Sequence, residues 1–208
     1  MITEQMIIAL REQVSYRISQ RRFNHTLGVE RAAEFLARKC LPEKIQEARA
    51  AALLHDITKE LSTEEHLDIV NKNGISLTQE EMAIPALLHS RTAPAVIKKD
   101  FPEFATEEIL SAIDKHTTGS AEMTTFDKIV FLADFIEDSR TYPASLTTAR
   151  FVKNSMKTKN VGANIFVLNQ ACVMEIDSTI SHLKHFGKTI NSKTLLARDA
   201  LISKILLR

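Results

Sequence analysis

Apolar residues recur at steps of three and four along nearly the whole chain. Ile7, Leu10, Val14 and Ile18 mark a first helix over about residues 2–18, because that spacing returns to one face of a helix rather than one face of a strand. Leu27, Ala32, Phe35 and Leu36 mark a second over about residues 23–39. Leu41-Pro42 breaks it, and Pro42 suits the first turn of a third helix, which carries Ile45, Ala48, Ala52, Leu53 and Leu54 and ends near Thr58-Lys59-Glu60. Ser62-Thr63-Glu64-Glu65 has the form of a capping box and predicts a short helix stopped by Asn73-Gly74. Thr78-Gln79-Glu80-Glu81 repeats the signal, and Pro85 and Pro94 are expected to split the next stretch of chain into short pieces. Thr106 caps a helix running to His116, and Thr117-Thr118-Gly119-Ser120 reads as a loop. Thr124 or Thr125 caps a helix with Ile129, Phe131, Leu132, Phe135 and Ile136. Residues 139–160 are polar and expected to be partly irregular, before a long helix over about 163–186, stopped by Gly187, and a last one over about 194–207. No window alternates as a strand should. The expected fold is an all-α, single-domain bundle of about eight to ten helices. Residues 1–190 form its body, and residues 191–208 a C-terminal helix packed on the body or on a second subunit.

Composition narrows the function classes. Of 208 residues, 44% are hydrophobic and 25% charged, as in ordinary globular chains. With 27 basic and 26 acidic side chains the net charge is +1, which argues against a general nucleic-acid binder or a polybasic membrane protein. No apolar run reaches the roughly 18 residues of a bilayer span, and the start lacks the features of a secretory signal, so the cytoplasm is the expected compartment. Cys40 and Cys172 are too few for a disulfide framework or a cysteine-based zinc site and are expected to be buried thiols.

The histidines carry the chemistry. His55-Asp56 closes the apolar segment 50–54, and Asp134 interrupts Phe131-Leu132-Ala133-Asp134-Phe135-Ile136. A carboxylate in such surroundings needs a partner or a metal. His25, His89 and His116 also lie at or near helix ends in apolar context. Several helices directing these groups into one cavity would suit iron, manganese, zinc or nickel.

The order His, His-Asp, Asp resembles the HD-domain superfamily of metal-dependent phosphohydrolases, and more closely its bacterial YqeK-type branch. The matching stretches are Arg22-Phe23-Asn24-His25-Thr26-Leu27-Gly28-Val29, Ala51-Ala52-Leu53-Leu54-His55-Asp56-Ile57-Thr58-Lys59, Leu87-Leu88-His89, Ala112-Ile113-Asp114-Lys115-His116-Thr117-Thr118-Gly119 and Leu132-Ala133-Asp134-Phe135-Ile136-Glu137. His-Thr-Thr-Gly is the most specific of them. The resemblance implies symmetrical hydrolysis of diadenosine tetraphosphate to two ADP. It implies His25, His55, Asp56 and Asp134 as ligands of an iron-type centre. It makes His89 and His116 a second layer that holds substrate phosphate or a second metal. It places Arg22, Lys59, Thr117 and Asn169 against the nucleotide. Where the family often has Glu-Pro before an arginine, this chain reads Glu137-Asp138-Ser139-Arg140, and Arg91 has no position to take over.

The implied roles agree with what phosphoanhydride cleavage requires. A divalent ion polarises a phosphoryl oxygen and lowers the pKa of bound water from about 16 toward about 7. Asp56 is the candidate to orient that water, and His89 and His116 to hydrogen-bond or protonate the leaving phosphate. Arg22 and Lys59 offset polyphosphate charge. No GxxxxGK[ST] sequence is present, which excludes nucleotide binding through that loop. Two rival readings share part of this pattern: an HD hydrolase of guanosine polyphosphates, dNTPs or cyclic nucleotides, and a nucleotide-sensing ribosome- or RNA-binding module using the basic residues Arg150, Lys153, Lys157 and Lys159. His66 is expected on a solvated face, His182 and His185 at a helix C-terminus where positive charge is favourable, and Lys98-Lys99-Asp100 at the surface.

Overall fold

The computed structural model describes residues 1–207, and all regular structure among them is helical. The order is α1 (Glu4–Ser15), α2 (Gln20–Cys40), α3 (Ile45–Leu54), α4 (Thr63–Asn73), α5 (Gln79–Ala83), α6 (Leu88–Asp100), α7 (Glu107–Lys115), α8 (Thr125–Ile136), α9 (Pro143–Ser155), α10 (Val161–His185) and α11 (Ser192–Leu206). Setting aside the five-residue α5 leaves ten helices, as the periodicity predicts.

α3 sits at the centre, against α1, α2, α7 and α8. Every residue from Ala48 to Leu54 is buried, so this short helix is enclosed on all sides. Alanines at 48, 50, 51 and 52 permit close approach by its neighbours. The one charged residue inside it, Arg49, is satisfied by Glu30 of α2 at 2.9 Å and by Glu4 of α1 at 2.9 Å, which ties three helices together. α8 is the second central element, buried from Phe126 through Ala133.

The helix boundaries follow local chemistry. The Ser62–Glu65 and Thr78–Glu81 capping boxes are both formed, and Gly74 ends α4 with a left-handed φ of 61°. Thr124 caps α8 reciprocally with Asp127.

Three expectations change. α3 stops at Leu54, and residues 55–60 are turns. Pro94 does not split its segment but lies within α6. His66 is buried, with Nδ1 2.8 Å from the Thr92 hydroxyl. Residues 139–142 and 156–160 are irregular, as expected, and between them 143–155 form α9, which begins at Pro143 and buries Ser145, Thr148 and Val152; the Ser145 hydroxyl donates to the Phe135 carbonyl. The thiols of Cys40 and Cys172 are free and buried, and burial holds Cys40 up at about 12. α11 packs against α10 through Thr194, Ala197 and Leu201. Arg150, Lys153, Lys157 and Lys159 are exposed.

Candidate metal centre

Five elements deliver side chains to one place. His25 comes from the second turn of α2, His55 and Asp56 from the turn that ends α3, His89 from the start of α6, His116 from the end of α7, and Asp134 from α8. His25 Nε2 lies 3.1 Å from Asp134 Oδ1 and 3.8 Å from Asp56 Oδ2, and His55 Nε2 lies 3.4 Å from Asp56 Oδ2. Potential ligand atoms of His25, His55 and Asp134 fall within 4.8 Å of one another, and so do those of His55, Asp56 and His116. His55 belongs to both groups.

Backbone carbonyls fix the tautomers. His55 Nδ1 donates to Ala52 O at 2.7 Å, His116 Nδ1 to Ile113 O at 2.7 Å and His89 Nδ1 to Ala86 O at 2.8 Å. A carbonyl only accepts, so each ring carries its proton on Nδ1 and turns a lone pair on Nε2 toward the cluster. His25 is oriented by Glu137 instead, with Nδ1 3.1 Å from Oε1. His25 Nε2, His55 Nε2 and Asp56 Oδ1 are buried without a hydrogen-bond partner. Buried polar atoms left over in convergence mark a place for an ion. Imidazole and carboxylate are a fitting donor set for a first-row divalent ion.

The charges agree with that geometry. Burial opposes ionisation of Asp56, yet the His55 and His116 imidazoles hold its carboxyl well below the usual range. Burial likewise opposes ionisation of Asp134, and His25, His55 and Arg140 override it. Burial alone would depress His25, but the Asp134 and Glu137 carboxylates hold it up at about 9. His89 is driven well below its ordinary value by burial, His116 and Lys59.

Around this core, Arg22 Nη1 donates to Asp56 Oδ2 at 2.7 Å, and Arg140 Nη2 to Asp134 Oδ1 at 2.5 Å. Lys59 Nζ lies 3.0 Å from His89 Nε2, which in turn faces His116 Nε2 at 3.1 Å; the Thr117 hydroxyl sits 3.1 and 3.2 Å from these two nitrogens. The cluster opens on a cleft of about 430 Å3 whose walls include Arg21, Arg22, His25, Ser139, Arg140 and Tyr142. His25 is the cluster residue on the wall of that opening, and Asp134 keeps 25% of its side chain exposed.

Of the residues singled out from sequence, His25, His55, Asp56, His89, His116, Asp134, Arg22, Lys59 and Thr117 are brought together. Asn169 is not. Its Oδ1 accepts from the buried Lys128 of α8 at 2.7 Å, and Lys128 lies six residues before Asp134, about 9 Å along the helix axis. Arg91 is engaged elsewhere, with Asp114 and Glu81.

Three residues outside that set prove structural to the site. Glu137, buried, orients His25 and is itself fixed by the Ser139 amide and hydroxyl at 2.7 and 2.6 Å. A Cβ on Gly28 would lie 2.3 Å from Glu137 Oε2, so only glycine leaves that carboxylate its place. Thr58 donates to the His89 carbonyl at 2.9 Å and joins the turn after α3 to α6. The signal for Gly28 is its position three residues after His25, on the same helix face.

The HD domain family model matches residues 22–137. The chain belongs to the HD domain family. That match spans every element of the cluster, from Arg22 to Glu137. Among curated proteins, the HD-domain chain is 29% identical over 91% of its length to a symmetrical bis(5'-nucleosyl)-tetraphosphatase of Halalkalibacterium halodurans, covering 93% of that protein. It is 26% identical, again over 91% of its length, to one of Bacillus subtilis, covering 94%. Among solved structures it matches a predicted HD superfamily hydrolase involved in NAD metabolism from Clostridium acetobutylicum. The TM-score is 0.82 at 28% identity, over 98% of this chain and 100% of that one. No helix among the described residues is long and apolar enough to cross a membrane.

Proposed function

We propose that this chain is a divalent-metal-dependent hydrolase that adds water to diadenosine tetraphosphate and releases two ADP. The observation that carries this reading is the convergence of unpartnered Nε2 and carboxylate atoms at the edge of an arginine-lined cleft. The relatives named for that reaction, aligned along nine-tenths of the chain, support it.

His25, His55, Asp56 and Asp134 are the residues to hold the ion, with His116 Nε2 within reach through His55 and Asp56. A divalent ion bound there supplies charge neutralisation at a phosphoryl oxygen and an acidified water. Iron is the ion proposed as native; manganese, zinc and nickel accept the same donors.

The chain's own residues supply the rest. Arg22 stands at Asp56 and Arg140 at Asp134, so a guanidinium flanks the cluster at each carboxylate. Each can bind phosphate oxygens bidentately, one on either side of the reacting bond. Such placement favours a central cut with two phosphates on each side. His89 and His116 present two lone pairs 3.1 Å apart, with Lys59 as the ammonium beside them. His89 is neutral near pH 7, because its pKa is depressed, so it hands on a proton only after receiving one. Lys59, whose own pKa is lowered by burial, is the adjacent donor, and the leaving phosphate oxygen is the destination. Thr117 bridges the two rings and fixes their separation.

The test is product identity. Purified protein loaded in turn with iron(II), manganese, zinc or nickel is given diadenosine tetraphosphate, then guanosine polyphosphates, dNTPs and cyclic nucleotides. ADP as the product from diadenosine tetraphosphate is expected. ATP with AMP overturns the symmetrical cut, and no turnover with any ion overturns the reading.

A further inference from the structure

Tyr142 lines two hollows. On one side is the arginine-walled cleft of about 430 Å3; on the other is a mainly apolar hollow of about 400 Å3, bounded by Phe135, Tyr142, Ser178, Thr179, His182 and Leu183. The Phe135 and Tyr142 rings pack edge to face, with centroids 5.5 Å apart and planes at 73°. Four of the lining residues come from α10 at positions 178, 179, 182 and 183, which share one helix face. The junction with the cluster is short. Arg140 holds Asp134 through Nη2, and its guanidinium lies 6.0 Å from the Tyr142 ring centroid. One arginine side chain therefore separates a carboxylate of the centre from an aromatic wall.

That succession matches a nucleoside polyphosphate read from its reacting end: phosphates, a sugar, then a flat, largely apolar base. The hollow has the size of a small-ligand site and the composition of one, apolar walls with a few hydroxyls. Tyr142 is 38% exposed and lines the hollow, so part of it is open to a ligand. His182, also exposed, stands at the far wall.

We propose that this hollow receives one purine base of the substrate, stacked against Tyr142, while Arg140 takes the phosphates of the same half. This rests on the reading that the substrate is a dinucleoside polyphosphate. The Thr179 and Ser178 hydroxyls are the hydrogen-bonding groups left to meet the base edge or the ribose. Glu175, one turn earlier on the same face of α10, is buried with Oε2 unpartnered.

The experiment measures binding of ADP and of inorganic pyrophosphate to the manganese-loaded full chain by calorimetry. It compares wild type, Thr179→Trp, which fills the hollow, Tyr142→Ala, which removes its wall, and Tyr142→Phe, which keeps the ring. ADP should bind at least about tenfold more weakly to Thr179→Trp and Tyr142→Ala, a loss within the range of one base stacked on an aromatic ring. Tyr142→Phe should keep ADP affinity, and pyrophosphate should bind all four proteins alike. Unchanged ADP affinity in both disruptive variants overturns the proposal, and so does parallel loss of ADP and pyrophosphate. Absence of ADP binding to wild type does the same. The product assay on wild type separates the two readings: cleavage to ADP with no effect of the hollow variants removes this site and leaves the activity standing. A hollow-dependent ADP affinity without cleavage removes the activity and leaves the site.

Discussion

Gly28→Ala would ordinarily strengthen a helix, since alanine in a helix interior is favoured over glycine by about 1 kcal/mol. Here the added methyl would lie 2.3 Å from Glu137 Oε2 and 3.2 Å from Asp138 Oδ1, so Glu137 must leave. That carboxylate accepts from His25 Nδ1 and from the Ser139 amide and hydroxyl. Hydrogen bonds to a charged group contribute about 1.5–3 kcal/mol each, so losing even two outweighs the helix gain. With partial resolvation of the displaced carboxylate we expect a net destabilisation of about 2 kcal/mol, seen as a fall in Tm of about 4–8 °C. The same change frees the His25 ring to turn, and loss of such an outer hydrogen bond weakens metal binding about 10- to 100-fold. Thermal unfolding of the ion-free protein and competitive titration with manganese measure the two effects separately. Introducing Gly28→Ala into Glu137→Ala should cost nothing further, because the clash is gone. A single variant with raised Tm and unaltered metal affinity would refute the argument.

Three further outcomes are expected. Asp56→Asn removes a carboxylate reached by His25, His55, His89 and His116, so elemental analysis should find the ion depleted and product formation at background; full activity would count against the ligand set. His66 has its pKa lowered by burial, so its contribution to stability is present above its unfolded value near 6.5 and is lost as pH falls toward the folded value. His66→Gln should flatten the acid side of a denaturant-stability profile, and an unchanged slope below pH 6.5 would contradict this. Asn169→Leu strands the Lys128 ammonium in the interior and should destabilise by about 1–3 kcal/mol with KM unaltered. A raised KM with unchanged stability would instead restore Asn169 to the nucleotide.

Much of this was legible because local chemistry and tertiary demand agree. Capping residues at Ser62, Thr78, Thr106 and Thr124 mark helix starts that the fold keeps. The gathering of His25, His55, Asp56, His89, His116 and Asp134 was foreshadowed by polar groups placed where apolar helices end or are interrupted. What was hidden depends on packing. Pro94 reads as a breaker, yet its helix is held by burial of Leu88, Ala93 and Ile97. α9 is hidden within a polar, partly irregular stretch because the groups it buries include hydroxyls, one of which bonds across to α8. His66 reads as solvated on its own helix and is covered by α6 through Thr92. Glu137 stands in one of the matching stretches, but its role shows only once His25 is set beside it.

The alanines of α3 have one more consequence. With Ala48, Ala50, Ala51 and Ala52 wholly buried, the position of this segment is dictated by backbone shape rather than by adaptable long side chains. A residue enlarged there has nowhere to bend; overpacking of this kind costs about 1–3 kcal/mol and is relieved by sliding the whole rod. Because His55 and Asp56 ride on its tip, such a slide would reposition both at once. Natural drift in this sequence should therefore be tightly constrained at four small residues that never meet the reactants.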